Sequence, residues 1–147
     1  MEFTGFRKIA ILDDQEAVTI AYKDVRDDHT DTKWLLLKYS AENKIVLHWT
    51  GSDCGKFFAK FTDKVRLFAF IRLDFEEKGP ETIKRTKFVL LSWIGQDVAN
   101  EKRQRVHGDR ECIKSVIKDY DCELCLYEET GIDEKLILQK VEEAETK

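Results

Sequence analysis

VRLFAFIRLDF, at residues 65–75, and KFVLLSWI, at residues 87–94, are the two stretches that decide the fold. Successive side chains of an extended strand point to opposite faces of a sheet. In the first stretch, valine, leucine, alanine and isoleucine share one face and two phenylalanines occupy the other. The second stretch is also apolar on both faces. Strands of this kind lie at the centre of a sheet that helices cover on both sides.

The flanking sequence supplies those helices and the outer strands. Apolar residues at helical spacing predict helices over residues 15–27 and 54–61, a long helix after Gly95, and a last helix opened by Asp133. The long helix is expected to carry an apolar stripe of Val106, Ile113, Val116, Ile117 and Tyr120. Residues 34–39 and 44–49 predict a hairpin, and residues 122–128 a short strand. The predicted order is α-β-β-α-β-β-α-β-α, an α/β fold with a mixed central sheet between helices.

The connection at residues 76–86 contains Lys78-Gly79-Pro80, a turn signal, so the two central strands are expected to form a long hairpin that projects beyond the sheet. A projecting hairpin can reach a partner molecule. The tryptophans and the aromatic residues Phe57, Phe58 and Phe61 are expected in the core.

Composition predicts a single soluble globular domain. The chain has 147 residues, 42% of them hydrophobic and 37% charged, with one proline. No apolar run approaches the roughly 20 residues that a membrane helix needs, so no membrane span is expected. The expected compartment is the cytoplasm, with the four cysteines reduced. A net charge of −4 argues against nucleic acid as a partner.

Charge is distributed unevenly along the chain. Residues 84–114 carry eight basic and four acidic residues, whereas residues 121–147 carry nine acidic and three basic ones. A polarised surface of this kind favours a partner that is acidic where it meets the basic region. The basic candidates are three residues near the projecting hairpin and three on the opening turns of the long helix: Lys84, Arg85, Lys87, Arg103, Arg105 and Arg110.

Catalysis has little support in the sequence. Cys122-x-x-Cys125 is the one motif that suggests an enzyme, a thiol oxidoreductase, but it falls in a predicted strand, where positions i and i+3 face opposite ways. His107, Cys112 and that pair lack the ligand spacing of a zinc site. The histidines stand singly, without a motif that pairs a base with a nucleophile. No catalytic residue, metal or cofactor is therefore expected.

Three strings resemble coactosins, which belong to the actin-depolymerising-factor homology family. They are AYKDVRDD at residues 21–28, DKVRLFAFIR at residues 63–72, and KRTKF at residues 84–88 leading into SWIG at residues 92–95. The likeness runs from about Leu12 to the last helix in the same element order. It implies a monomeric, non-catalytic protein of the actin cytoskeleton that binds the side of filamentous actin and opposes barbed-end capping.

The resemblance also implies a site. Lys87 matches the family's basic residue that opens the strand after the long hairpin, a filament contact, and Lys84 and Arg85 accompany it. Arg103 and Arg105 fall where cofilin relatives carry basic residues that face actin. The helix lacks the basic-Met motif of cofilins, which argues against binding to monomeric actin.

Residues 1–12 are predicted to form an N-terminal extension, and residues 13–147 the domain. The extension contains Phe3, Phe6, Ile9 and Ile11, and lies near the end that faces actin in the wider family. It is expected to add or block a contact there. Three alternatives stay open: cofilin-like depolymerisation with monomer binding, a thiol enzyme using Cys122 and Cys125, and a scaffold that binds another protein through the acidic tail or the extension.

Overall fold

The computed structural model describes residues 10–127 and 132–145 and contains a sheet packed between two layers of helices. Its elements are β1 (Ile11–Leu12), α1 (Gln15–Arg26), β2 (Trp34–Ala41), β3 (Lys44–Gly51), α2 (Cys54–Phe58), β4 (Arg66–Glu77), β5 (Ile83–Ile94), α3 (Asn100–Ile113), β6 (Cys122–Tyr127) and α4 (Glu134–Glu145). The predicted fold class is confirmed, and so is the predicted order from α1 onward.

The described strands form one mixed sheet in the order β1-β3-β2-β4-β5-β6. β4 pairs with β5 along its whole length, from Arg66 opposite Ile94 to Glu77 opposite Ile83. β6 lies parallel to β5, and the remaining pairs among β2 to β5 are antiparallel. The two stretches that decide the fold therefore occupy inner positions of the sheet, as expected.

β1 is a strand that the sequence did not predict. Ile11 and Leu12 lie parallel to Lys44 and Ile45 of β3, and the Leu12 side chain is buried in the core. These two residues, assigned above to the extension, thus belong to the sheet. Residues 1–9, with Phe3, Phe6 and Ile9, lie outside the described residues, so a separate extension stays a prediction.

Each face of the sheet has its own apolar core. Residues Leu35, Phe68 and Phe70 face α1 and α3, where they pack with Val18 and Val106. Their neighbours along the same strands face the other way and form a second core with α2 and α4. That core includes Trp34, Leu36, Leu67, Ile71, Leu91, Trp93, Phe57, Ile137 and Val141. The alternation of the central strands is the direct cause of this two-sided packing.

Aspartates begin three of the helices. Asp14 accepts a hydrogen bond from the backbone N–H of Ala17 at 3.2 Å, and Asp53 accepts one from that of Gly55 at 2.8 Å. Asp133 accepts from the N–H of Leu136 at 2.8 Å. Each carboxylate satisfies an N–H group that has no partner within its helix and complements the positive end of the helix dipole.

Several element boundaries, among them those of α2, β5 and α3, and one core assignment were wrong; α2 ends at Phe58 instead of residue 61. β5 begins at Ile83, because residues 83–86 continue the antiparallel ladder although they are exposed and all but Ile83 are polar. α3 ends at Ile113, so Val116, Ile117 and Tyr120 lie in the segment that follows it. Trp49 is 50% exposed, while Trp34 and Trp93 are buried as predicted.

The buried carboxylate of Asp109 ties three elements together. This α3 residue accepts hydrogen bonds from the Tyr39 hydroxyl of β2 at 2.6 Å and from the Ala10 backbone N–H, next to β1, at 3.3 Å. Burial and, after it, the bond to Asp109 raise the pKa of Tyr39, so its hydroxyl stays protonated and donates.

We predict that Asp109→Ala lowers the free energy of unfolding by about 2–3 kcal/mol, because it leaves two buried donors without an acceptor. Tyr39→Phe, which removes one donor together with its bond, should cost about 1 kcal/mol. Urea unfolding followed by circular dichroism measures both. Equal stability of the parent and Asp109→Ala would contradict this role.

Candidate functional site

The β4–β5 hairpin extends beyond its neighbours in the sheet. β2 pairs with β4 up to Ile71, and β6 pairs with β5 from Val89 onward. Beyond these points the two strands pair only with each other in the described residues, and residues 78–82 close the turn. The projecting hairpin predicted from the sequence is therefore present, with longer strands and a shorter loop.

The three predicted basic residues lie on this hairpin but on two faces. Arg85 and Lys87 share the face that continues into the core with α4, because side chains alternate along β5. Lys84 points to the opposite face, is exposed, and stands across from Glu76 in the register. The structure thus brings the three together in one element without placing them on one flat surface.

Lys87 and Arg85 each have an acidic partner. The Lys87 ammonium lies 2.6 Å from a carboxylate oxygen of Glu145 on α4, and its side chain is 24% exposed. The hydrogen bond that Lys87 donates to Glu145 raises the pKa of Lys87 against the opposing effect of burial. Arg85 pairs with Glu77 across the hairpin. Sequence patterns could not predict the Lys87–Glu145 pair, since the two residues are 58 positions apart.

The three arginines of α3 anchor the helix to the rest of the molecule. Arg103 donates to the backbone carbonyl of Gly95 at 2.7 Å. Arg105 pairs with Glu42 at 3.1 Å, and its side chain is 12% exposed. Arg110 lies 3.6 Å from Glu123 of β6 with its side chain 16% exposed. All three were expected on the opening turns of the long helix, but α3 is shorter than predicted and Arg110 falls in its last turn.

The cysteine pair does not form a redox site. Cys125 packs with the core that contains α1 and α3, whereas Cys122 packs with the core that contains α2 and α4. Burial raises the pKa of both thiols and so disfavours the reactive thiolate. Within residues 10–127 and 132–145, no three His, Cys, Asp or Glu side chains meet as a metal site would require, and no helix is long and apolar enough to span a membrane.

A protein-family model described as cofilin/tropomyosin-type actin-binding protein matches residues 11–142. The chain belongs to this family. It is similar to the rat coactosin-like protein, with 34% identity over 131 residues that make up 89% of each chain.

Solved structures of this family share the fold. Human coactosin-like protein superposes with a TM-score of 0.81 at 31% identity, over 91% of this chain and 98% of that one. Mouse coactosin, an actin filament binding protein, superposes with a TM-score of 0.71 at 32% identity, over 92% of both chains. The resemblance to coactosins inferred from three short strings is therefore confirmed over most of the chain.

In this member of the cofilin/tropomyosin-type family, a charged network fixes the base of the hairpin. Asp74 of β4 accepts hydrogen bonds from Lys33, from the Thr86 hydroxyl at 2.7 Å and from Arg72 at 3.1 Å. Arg72 also pairs with Asp28 at 2.5 Å. Partial burial would raise the pKa of Asp74, but these three hydrogen bonds outweigh it and lower the pKa to about 2.

We predict a stability loss in acid that depends on Asp74. Because the folded-state pKa lies below the ordinary value of about 3.9, the carboxylate contributes stability at neutral pH that is lost as the pH falls from about 5 to about 2. Asp74→Asn should therefore be less stable than the parent at pH 7, and the difference should shrink towards pH 2. Urea unfolding across this range measures it.

The matched control for this prediction is Glu81→Gln, which removes an exposed carboxylate from the turn of the same hairpin. It should follow the parent at every pH. A difference between Asp74→Asn and the parent that stays constant down to pH 2 would show that ionisation of Asp74 does not matter.

Proposed function

We propose that this chain binds the side of actin filaments, without catalysis and without a cofactor, through the β4–β5 hairpin. The observation that carries the proposal is the hairpin itself, which extends past the sheet with Lys84, Arg85 and Lys87. Mouse coactosin, similar over 92% of this chain, supports filamentous actin as the partner. On this proposal the protein acts as a monomer on the cytoplasmic actin cytoskeleton.

Charge complementarity would drive the contact. An acidic filament surface could pair directly with the exposed Lys84. Arg85 and Lys87 would have to exchange their internal carboxylate partners for acidic groups of the filament. Losing these internal ion pairs offsets part of the binding free energy that the new pairs contribute. Affinity should therefore fall as salt rises, since exposed ion pairs are screened.

α3 would serve mainly as support in this proposal. Arg103, Arg105 and Arg110 are held by contacts within the molecule, whereas Lys102 in the first turn is exposed. This distribution favours a hairpin-centred filament contact over a cofilin-like, helix-centred contact with monomers. By resemblance to coactosins, we further propose that filament binding opposes barbed-end capping.

The proposal predicts that Lys87→Glu weakens filament binding at least tenfold, because the introduced carboxylate repels an acidic surface and lies beside Glu145. High-speed co-sedimentation with filamentous actin measures the bound fraction. A tenfold loss corresponds to about 1.4 kcal/mol of binding free energy. Loss of the partly exposed Lys87–Glu145 ion pair should lower the free energy of unfolding by no more than about 1 kcal/mol.

Lys44→Glu is the matched control, an exposed charge reversal at the far end of the sheet, and should bind like the parent. Equal binding of Lys87→Glu and the parent would remove the hairpin from the proposal. Rising soluble actin in the same experiment would favour the cofilin-like alternative. A parent protein that stays in the supernatant at low salt would overturn filament binding altogether.

A further inference from the structure

A groove of about 690 Å³ opens at the end of the sheet opposite the hairpin. One wall is the end of β2 with the turn that follows it. The other wall is residues 59–67, which lead into β4, and the first turn of α3 contributes Lys102. Arg66 bridges the walls, because it stacks over the Tyr39 ring at 3.5 Å and donates to the Lys102 carbonyl at 3.0 Å.

Among the described residues, no strand pairs with the β2 edge that faces this groove. β2 pairs with β4 only as far as Lys38 opposite Leu67, whereas residues 39–41 pair with β3 alone. The chain that enters β4 turns away at this point, where the Val65 carbonyl accepts from the Gly95 N–H at 2.9 Å. The backbone groups of residues 39–41 that point away from β3 are therefore open to pairing with a further strand.

The groove is strongly basic. Its lining includes Lys38, Lys60, Arg66 and Lys102 but only one carboxylate, that of Glu42, which already pairs with Arg105. No carboxylate in the described part of the chain lies within ion-pair distance of Lys38 or Lys102.

The groove lining also contains a histidine, His48. Burial, with smaller effects from the charges of Lys38 and Lys60, lowers the pKa of His48, so this ring is neutral at neutral pH and its protonation is opposed by the surrounding field. His48 therefore adds no carboxylate or other negative charge to this basic lining.

We propose that this groove binds an extended acidic segment of a partner protein, which adds as a strand beside residues 39–41 and places its carboxylates against Lys38 and Lys102. Strand addition supplies affinity through the backbone, and the basic rim supplies selectivity for acidic side chains. The apolar side chains of Val65 and Leu67 in the lining suit the residues that alternate with the acidic ones.

An extended peptide fits these features better than a phosphate group does. The amines come from β2, from the segment that follows α2 and from α3, so they are spread along the groove and do not converge on one point. A phosphate group would also leave the open strand edge unused. The groove lies at the other end of β4 from Lys87, so this site is separate from the proposed filament contact.

The test uses a fluorescein-labelled peptide of about ten residues, enough to span the groove as a strand, in which glutamate alternates with valine or threonine. Fluorescence anisotropy should show binding that weakens at least tenfold when glutamine replaces every glutamate. Lys38→Glu combined with Lys102→Glu should cause a similar loss. Lys118→Glu combined with Lys135→Glu, a matched reversal of two other exposed lysines, should leave the affinity unchanged.

Amide hydrogen exchange provides the second readout, because strand addition should slow exchange at residues 39–41 when the peptide binds. Equal binding of the glutamine peptide, no loss in the Lys38/Lys102 variant, or unchanged exchange at residues 39–41 would each overturn the proposal. Binding of tripolyphosphate that requires Lys38 and Lys102, without binding of the glutamate peptide, would identify a phosphate site instead.

The filament proposal is tested separately. Lys87→Glu should bind the peptide as the parent does but should bind filaments more weakly. The two proposals can therefore fail independently of each other. Loss of peptide binding in Lys87→Glu would contradict a separate groove site.

Discussion

The pairing of β4 with β5 over twelve residues of each strand is the constraint on which the rest of the molecule depends. In its inner half the pair is apolar on both faces, so neither face can be left to water. α1 and α3 cover one face, and α2 and α4 cover the other. In its outer half the same ladder continues without a neighbouring strand among the described residues, and this continuation is the hairpin. One strand pair thus builds the core and carries the candidate contact outward.

The basic residues fall into two groups with different structural roles. The arginines at positions 72, 103, 105 and 110 are largely buried or held by carboxylates and carbonyls, and they fix helices and strands in place. Many of the exposed cations are lysines, among them Lys84 at the hairpin and Lys38 and Lys102 at the groove, although Arg85 of the hairpin is exposed as well. This division follows from the chemistry of the side chains, because a planar guanidinium suits fixed multidentate contacts and an ammonium on a flexible stem suits a solvated surface.

The sequence predicted the parts of the fold that depend on local pattern and burial. The central strands, Asp133 at the start of the last helix and the opposite facing of Cys122 and Cys125 all follow from the period of two or from helix chemistry. β1 could not be predicted, because two residues in parallel pairing with β3 leave no periodic signal. The start of β5 at Ile83 was missed because residues 83–86 are held by hydrogen bonds and not by burial.

The candidate sites depend on the topology of the fold, as β1 does, and local sequence patterns predict only part of them. Lys84, Arg85 and Lys87 could be assigned to the hairpin from their order in the chain, but the partner of Lys87 comes from α4. The groove needs Lys38, Lys60 and Lys102 from three separate parts of the chain that meet only after folding. Sequence patterns indicate which residues are charged, whereas the strand order decides which charges face one another.

Zero-length cross-linking of the protein on actin filaments tests the central claim most directly, because a carbodiimide joins a lysine amine to a carboxylate that touches it. Mass spectrometry should find Lys84 and Lys87 linked to actin carboxylates, and the internal Lys87–Glu145 link should decline as filaments are added. Cross-links to actin that run only through lysines remote from the hairpin, with the internal link unchanged, would contradict the account.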